Sequence, residues 1–339
     1  MGTHEFRLAD RDEYPHATDP APDFNESVYV NAFDHRLGLG GWARVGNRVN
    51  EGHAEIGLCL YLPGGRLACH FDRPAITTND VFAAGGLSYE VGEPLRRVEM
   101  RYHGPVAVLD DPALLHHPRE ALAGAPRVGA DVTWTFSAVS PAHGGEPAGP
   151  GTETMYGLDF SRGHFNQHGS VEGRIRVGEE SWAIDGFGWR DHSWGPRSWQ
   201  AIRWYRLLLG NVGPADGFML LQITSPGATA PRATGVVLRD GEYHELESLS
   251  LDTTWAGDQP AAVRAEVKTG RGLEVITGEV ITVAPLRNRR KGDDGPVYTR
   301  IAEAFTRWEW DGRTGYGMTE VLDLVEDGRP VGVPARTAG

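Results

Sequence analysis

The side chains best suited to chemistry are concentrated in one segment, residues 186–199. It holds three Trp, one Asp, one His and two Arg, although the whole chain has only ten Trp. Its Gly and Pro residues are unfavourable in a helix interior. A carboxylate and an imidazole lying against indole faces form an environment that shifts pKa values and stabilises cations. The segment therefore predicts a catalytic or ligand-binding site in which these side chains share one confined space.

The catalytic candidates are Asp191, His192 and Glu55. Asp191 and His192 form either a catalytic pair or a structural one, since buried polar groups are normally hydrogen-bonded. If Arg197 pairs with Asp191, the pKa of Asp191 falls, and His192 becomes the better general acid or base. Glu55 adjoins Ile56 at a strand start, so it is either an outward, solvated group or an acid inside a barrel.

A second group of residues supplies aromatic or polar contacts for a substrate. Trp194 and Trp199 have an alternative role as core residues, because Trp is highly buried on average. Tyr316 and Glu320 lie in a glycine-rich strand, where backbones approach closely. The predicted substrate-binding residues are Trp189, Trp194, Arg197, Trp199, Trp204, Tyr316 and Glu320.

The composition restricts the classes of partner. The 339 residues carry a net charge of −13, which argues against nucleic acid as a ligand because phosphate binding needs a basic face. The first residues lack the apolar region of a signal peptide, and no apolar run approaches the roughly 18 residues of a membrane span. Cys59 and Cys69 are interpreted as reduced, buried thiols of a cytoplasmic protein. A homodimer is compatible with the sequence.

The chain is predicted to be all-β, because many short alternating runs are separated by turn signals. Residues 54–62 and 66–71 flank Pro63-Gly-Gly65 and are expected to form a hairpin in which the two cysteines face each other. The one helix is expected at residues 110–123. Length and pattern favour two antiparallel barrels or sandwiches. The predicted organisation is an N-terminal arm (1–22), an N-terminal domain (23–190) and a C-terminal domain (191–335).

Motifs for common cofactors do not occur. The sequence contains no Gly-x-Gly-x-x-Gly between a strand and a helix, no phosphate-binding loop and no Gly-x-Ser-x-Gly elbow. A second cysteine pair for a zinc site is missing as well. We therefore expect no cofactor and no metal ion. A large β protein of this kind either binds a ligand or performs acid–base chemistry without a cofactor.

The segment Trp189-Arg-Asp-His-Ser-Trp-Gly195 resembles the Trp-x-Asp-His-x-Trp-Gly signature of carotenoid hydratases (hydroxyneurosporene synthases) and their AttH-like relatives. Residues 50–55, 61–65, 84–90, 195–199 and 315–320 resemble a bacterial branch of that group. The resemblance implies two consecutive lipocalin-like β domains. Kievitone hydratases and some fungal decalin-forming cyclases are similar to the same broad fold group.

The resemblance also implicates His192 and Trp194 in the site. The hydratases carry a proposed proton-donating Asp about thirty residues later. Here residues 218–224 hold no acid, and Asp216 precedes them, which argues against a carotenoid-type hydration. The donor is then Asp191, Glu55, Asp34, Glu320 or another group. Protonating an alkene at neutral pH needs an acid whose pKa is raised by burial, and indole faces stabilise the resulting cation.

These observations favour a cofactor-independent hydratase, cyclase or isomerase acting on a lipophilic, terpenoid or polyketide-like small molecule. The alternative is a lipocalin-like protein that binds a hydrophobic ligand without turnover, because fold does not determine function. A third interpretation makes the tryptophan-rich segment a structural junction between domains.

Overall fold

The computed structural model describes residues 6–149, 151–292 and 295–334. The chain divides into two compact units, which we call unit 1 and unit 2. Unit 1 extends to Val108 and resumes from Pro126 to Ser198, whereas unit 2 consists of Leu109–Ala125 and the chain from Trp199 onward. Within the described residues, no helix is both long and apolar enough to cross a bilayer.

Unit 1 is built on a twelve-stranded sheet. The strands follow one another in the order β1-β10-β11-β12-β2-β3-β4-β5-β8-β7-β6, and β9 links β8 back to β11. Their bounds are β1 Phe6–Arg7, β2 Phe24–Asp34, β3 Leu39–Arg48, β4 His53–Tyr61, β5 Leu67–Asp72, β6 Phe82–Ala84, β7 Leu87–Glu93, β8 Arg97–Leu109, β9 Arg127–Ala138, β10 His143–Pro147, β11 Gly163–Val177 and β12 Glu180–Pro196.

Unit 2 contains a closed eight-stranded antiparallel barrel, because consecutive strands pair in sequence order and β20 pairs back onto β13. The short strand β21 extends β20. The bounds are β13 Trp204–Gly213, β14 Asp216–Thr224, β15 Arg232–Arg239, β16 Glu242–Ala256, β17 Gln259–Thr269, β18 Gly272–Gly292, β19 Gly295–Trp310, β20 Arg313–Glu326 and β21 Arg329–Pro330.

Helical structure is confined to short segments. Helix α1 spans Pro118–Gly124 and belongs to unit 2. A 3-10 segment, Pro112–His116, precedes it, with the Asp111 side chain accepting a hydrogen bond from Ala113 N at its start. The other 3-10 segments are Asp10–Glu13, Val49–Glu51, Pro63–Gly65 and Trp199–Ala201. The helix predicted at 110–123 is thus present in two pieces, because Pro118 starts a new helix.

The all-β prediction and the expected hairpin are both confirmed. Strands β4 and β5 pair around Pro63–Gly65, and Cys59 lies directly opposite Cys69. Both cysteines are buried and free. Burial raises the pKa of the Cys69 thiol to about 12, which keeps this group protonated.

Strand β12 carries the tryptophan-rich segment, and its side chains alternate between two faces. Arg190, His192 and Trp194 point to the same side as the apolar core of unit 1, which we call the core face. Trp189 and Asp191 point to the opposite side, the outer face. The expectation that all these side chains share one confined space was therefore wrong, because the period of a strand is two.

The N-terminal residues are integrated into unit 1. Strand β1 pairs with β10, and the side chain of Glu13 is completely buried. The predicted division into an arm and two domains at residues 22 and 190 stays a prediction. Packing in the structure extends unit 1 to Ser198 and assigns Leu109–Ala125 to unit 2.

Candidate functional site

The Glu26 carboxylate bridges two imidazoles on the core face. Its Oε1 lies 2.6 Å from His16 Nδ1 and 2.9 Å from His192 Nε2. Its Oε2 accepts a 2.5 Å hydrogen bond from Asn79 Nδ2 and a 2.9 Å bond from the backbone N–H of His16. Both oxygens of this fully buried acid are thereby hydrogen-bonded, as a buried charge requires.

Strand register brings Glu26 and His192 together. In the antiparallel β2–β12 pair, Glu26 lies opposite Trp194, and Val28 lies opposite His192. Glu26 has the same orientation as Val28 and Val30, which are core residues of unit 1. The acid therefore occupies a core position at the end of an otherwise apolar row.

Burial and hydrogen bonding shift the pKa values of Glu26 and His16 in opposite directions. Burial alone would raise the pKa of Glu26, but hydrogen bonds from His16 and His192, and their charges, lower it to about 2. Burial would lower the pKa of His16, but the hydrogen bonds and charges of Glu26 and Asp12 raise it above its ordinary value of 6.5. Glu26 is hence an anion at neutral pH, and His16 holds its proton more tightly than a solvated histidine does.

Aromatic rings enclose the two imidazoles. The His16 ring stacks on Trp194 with centroids 4.0 Å apart and an interplanar angle of 16°. Phe82 and Phe165 contact the His192 ring edge-on at 5.2 and 5.5 Å. A Cβ at Gly163 would lie 2.2 Å from the Trp194 ring, so only glycine leaves room for the indole in this position. The indole face favours the charged form of His16.

A buried ion pair anchors the chain that carries His16. Arg190 donates to Glu13 through Nη1 to Oε1 (2.6 Å) and Nη2 to Oε2 (2.8 Å). Tyr89 OH donates to Glu13 Oε1 at 2.7 Å, and Gln167 Oε1 accepts from Arg190 Nε at 2.9 Å. Glu13 precedes His16 by three residues, so this pair fixes the backbone from which His16 reaches Glu26.

His16 is the only one of the three side chains that is partly exposed, although its Nε2 is itself buried. Its side chain retains 22% of its exposure, whereas those of Glu26 and His192 retain 0%. Asp12 Oδ1 lies 3.5 Å from His16 Nε2, on the far side of the ring from Glu26. His192 Nδ1 is buried and has no hydrogen-bond partner among the described residues. The arrangement can transfer protons between a substrate, His16 and His192 while Glu26 holds the balancing charge.

The same three residues also have the composition of a metal site. One ligand atom each from His16, Glu26 and His192 lie within 4.8 Å of one another, and two imidazoles with one carboxylate suit zinc or iron. Glu26 is already saturated by protein donors in this geometry. The hydrogen-bonded arrangement thus needs no ion to balance the buried charge, and a chelator test can distinguish the two states.

Three predicted site residues lie on outer-facing positions of unit 1. The Trp189 ring packs edge-on against His168 at 4.4 Å. Asp191 is partly exposed and lies opposite Tyr29 and Asn166 in the register. Glu55 lies opposite Gly46, pointing away from the core, with Arg73 Nη2 3.1 Å from its carboxylate. Glu55 thus points outward, as one of the alternatives had it, but its side chain is only 14% exposed and is not a freely solvated group.

The remaining predicted residues belong to unit 2, apart from Arg197, which lies in unit 1 and is described below. Trp199 begins a 3-10 segment, and the Arg206 guanidinium lies 5.0 Å from the Trp204 ring. Tyr316 stacks on Phe305, and the Tyr205 hydroxyl donates a hydrogen bond to Glu320. Their assignment as substrate-binding residues stays a prediction.

Sequence reasoning missed Glu26, His16 and Asn79. Glu26 had a detectable signal: it continues the row of Val28, Val30 and Ala32 at a spacing of two, so it is an acid at a core position. His16 and Asn79 lie in segments outside the named strands, and no local pattern ties them to β2.

The fold defines the class of protein. The chain resembles a protein described as AttH (NE1406) from Nitrosomonas europaea, with a TM-score of 0.60 and 14% identity over 95% of this chain and 98% of that one. It resembles kievitone hydratase from Nectria haematococca with a TM-score of 0.55 and 13% identity, covering 91% and 97%. CghA, crystallised with Sch210972, gives 0.55 and 11% over 94% and 96%. The predicted AttH-like fold is confirmed.

The particular family is given by the sequence. Residues 9–325 match the family described as a domain of unknown function, DUF7064, and the chain belongs to that family. A search of the curated proteins finds no match.

Proposed function

We propose that this protein is a hydratase-type acid–base enzyme whose proton-transfer site is His16, Glu26 and His192. One observation carries the proposal: a buried carboxylate joins two imidazoles, one of which stacks on an indole and is partly exposed. Imidazole is the group best suited to give and take protons near neutral pH. Kievitone hydratase and CghA share the fold, and the first is named for hydration.

In the proposed reaction, the His16 imidazolium gives its proton to one carbon of a substrate double bond. A water molecule adds its oxygen to the other carbon, and the now neutral His16 takes the proton that this water loses. The histidine–carboxylate unit is thus regenerated. Glu26 stays ionised throughout, because its pKa of about 2 makes it a poor proton donor.

The substrate class that we propose is a lipophilic terpenoid or polyketide-like molecule. Apolar rings surround His192, and the Trp194 face stabilises positive charge on His16, from which the proton is given. Capture of the protonated substrate by water gives hydration, whereas capture by an internal alkene gives cyclisation. Loss of a neighbouring proton gives isomerisation.

The test is isotope incorporation with the full chain. A panel of terpenoid and polyketide-like alkenes and alcohols is incubated in D2O, and products are analysed by mass spectrometry. We expect deuterium in a product from wild type, and a loss of about 100-fold or more in Glu26→Gln and His192→Gln. The control is His103→Gln, because His103 is 87% exposed and lies far along the sheet from β2.

Each outcome of this test has a meaning. Deuterium incorporation at the wild-type rate in His192→Gln would refute the assignment. If neither wild type nor any variant incorporates deuterium, and native mass spectrometry finds a co-purifying lipid, the binding-protein alternative is favoured. Loss of activity with EDTA would show that the same three residues hold a metal ion in the active protein.

A further inference from the structure

Arg197 lies at the end of β12, and its guanidinium is buried without a carboxylate partner. Only 8% of the residue is exposed. Its Nη2 donates to Ser193 Oγ at 2.6 Å and lies 3.5 Å from Ser27 Oγ, while its Nε has no hydrogen-bond partner. Among the described residues, no acidic side chain forms an ion pair with it. A buried cation normally has such a partner, because desolvation of an unpaired charge is costly.

The surroundings of Arg197 supply further unused polar atoms. His164 lies opposite Ser193 in the β11–β12 register, and its Nδ1 is buried without a partner. Asn25 lies opposite Gly195 in the β2–β12 register and is 1% exposed, with its Nδ2 also unpartnered. These atoms lie on the outer face, on three neighbouring strands. They form one polar patch that the protein itself does not saturate.

Residues 154–161 lie over this patch and give it an apolar wall. The Arg197 guanidinium is 4.1 Å from the Phe160 ring, and the Tyr156 ring packs edge-on against His164 at 5.2 Å. Thr154 Oγ1 donates to Ser161 O at 2.9 Å, which closes the ends of the segment upon each other. A ligand bound here would therefore meet both a guanidinium and aromatic rings.

The charge of the patch suits a monoanion. The Arg197 guanidinium supplies one buried positive charge, and no acidic side chain among the described residues forms an ion pair with it. Burial, together with the charge of Arg44, lowers the pKa of Arg197 to about 9, although Asp191 opposes this effect. A planar guanidinium matches a carboxylate in two-point hydrogen bonding.

We propose that Arg197, Ser193 and Asn25 form a binding site for the carboxylate of an organic acid with an aromatic or aliphatic body. The site lies on the outer face of β12, opposite His192, so it is separate from the proposed proton-transfer site. The inference does not rest on the proposed function, and either can fail alone.

Benzoate is the probe, and the full chain is titrated by calorimetry and by thermal unfolding. We expect saturable benzoate binding that raises Tm, with affinity weakened about tenfold or more in Arg197→Met because the charged hydrogen bonds are lost. Neutral benzamide should not bind. The control is Arg96→Met, whose side chain is 77% exposed in the same unit. Arg197→Lys keeps the charge but loses the planar guanidinium that can donate two parallel hydrogen bonds, so it should bind benzoate with intermediate affinity.

A purely structural Arg197 would give a different result in the empty protein. If the residue is held ready for an anion, Arg197→Met removes an uncompensated charge and leaves Tm unchanged or higher. A lower Tm in Arg197→Met without benzoate, or equal benzoate affinity in both proteins, would overturn the proposal. Binding of inorganic phosphate as tight as that of benzoate would overturn the assignment to a carboxylate.

Discussion

The two faces of β12 each bury one arginine, and the two arginines differ in how their charge is balanced. On the core face, Arg190 forms a two-point ion pair with Glu13. On the outer face, Arg197 has only serine hydroxyls and an aromatic ring. The charge of Arg190 is therefore balanced within the chain, whereas no described acidic side chain pairs with the charge of Arg197. A buried charge without an ion-pair partner is a candidate for binding a ligand of opposite charge.

Two buried histidines differ in the same way as the two arginines. His192, on the core face, faces a carboxylate at 2.9 Å. His164, on the outer side of the neighbouring strand, faces only the Asn166 amide oxygen at 2.9 Å, and burial lowers its pKa to about 3. The buried His164 imidazole is therefore neutral.

The largest expected effect comes from breaking the ion pair of the core face. Glu13→Gln leaves the Arg190 charge buried without its partner, which should lower the free energy of unfolding by about 3–5 kcal/mol. Chemical denaturation at neutral pH measures the change. Glu93→Gln, at an exposed position, is the control. A loss as small as that of the control would show that Gln167 and Tyr89 suffice to hold Arg190.

The next effect is acid destabilisation through Glu26. Its pKa is about 2 in the folded protein and 4.5 when unperturbed, so its stabilising contribution is complete above pH 4.5. The contribution is lost as the pH falls from about 4.5 to 2, and it amounts to roughly 3 kcal/mol. Unfolding free energies measured along this range should fall more steeply in wild type than in Glu26→Gln. Parallel curves for the two proteins would contradict the low pKa.

A smaller effect concerns the indole that stacks on His16. Trp194→Leu removes this ring, so the pKa of His16 should fall. NMR titration of the His16 ring protons measures it. Because the pKa of His16 is raised by folding, its charge stabilises the protein fully below pH 6.5, and this contribution is lost as the pH rises through the folded pKa. An unchanged titration would mean that Glu26 and Asp12 alone hold the proton.

The smallest effect is expected at Glu55. The Glu55 side chain is 14% exposed but its partner Arg73 is 55% exposed, so solvent screens the pair and Glu55→Gln should change the free energy of unfolding by about 1 kcal/mol or less. Isotope incorporation in the alkene assay should stay at the wild-type rate. A loss of activity in this variant would restore Glu55 as a catalytic residue and move the site to the outer face.

Local patterns were sufficient for the fold and for one half of the site. Alternating runs and the Pro63-Gly-Gly65 turn predicted β4 and β5, because side-chain phase and turn chemistry are local properties. The motif located His192 and Trp194. Its neighbours Trp189 and Asp191 were grouped with them because the segment was interpreted as a compact loop, whereas β12 is a regular strand.

Long-range contacts were beyond local patterns. His16 reaches Glu26 only because Glu13 is fixed by Arg190, which lies 177 positions further along the chain. Asn79 reaches Glu26 from 53 positions away. Such contacts depend on the register of the whole sheet, and no spacing within residues 10–16 predicts them.

The insertion of Leu109–Ala125 into unit 2 has a consequence for synthesis. Leu115, fully buried in the finished protein, leaves the ribosome long before β20 is made at residues 313–326. At about 5–20 residues per second, the roughly 200 residues between them take about 10–40 s to translate. During this interval the segment is a tethered apolar loop without its barrel. A gene fragment that starts at Trp199 would encode the barrel without this segment.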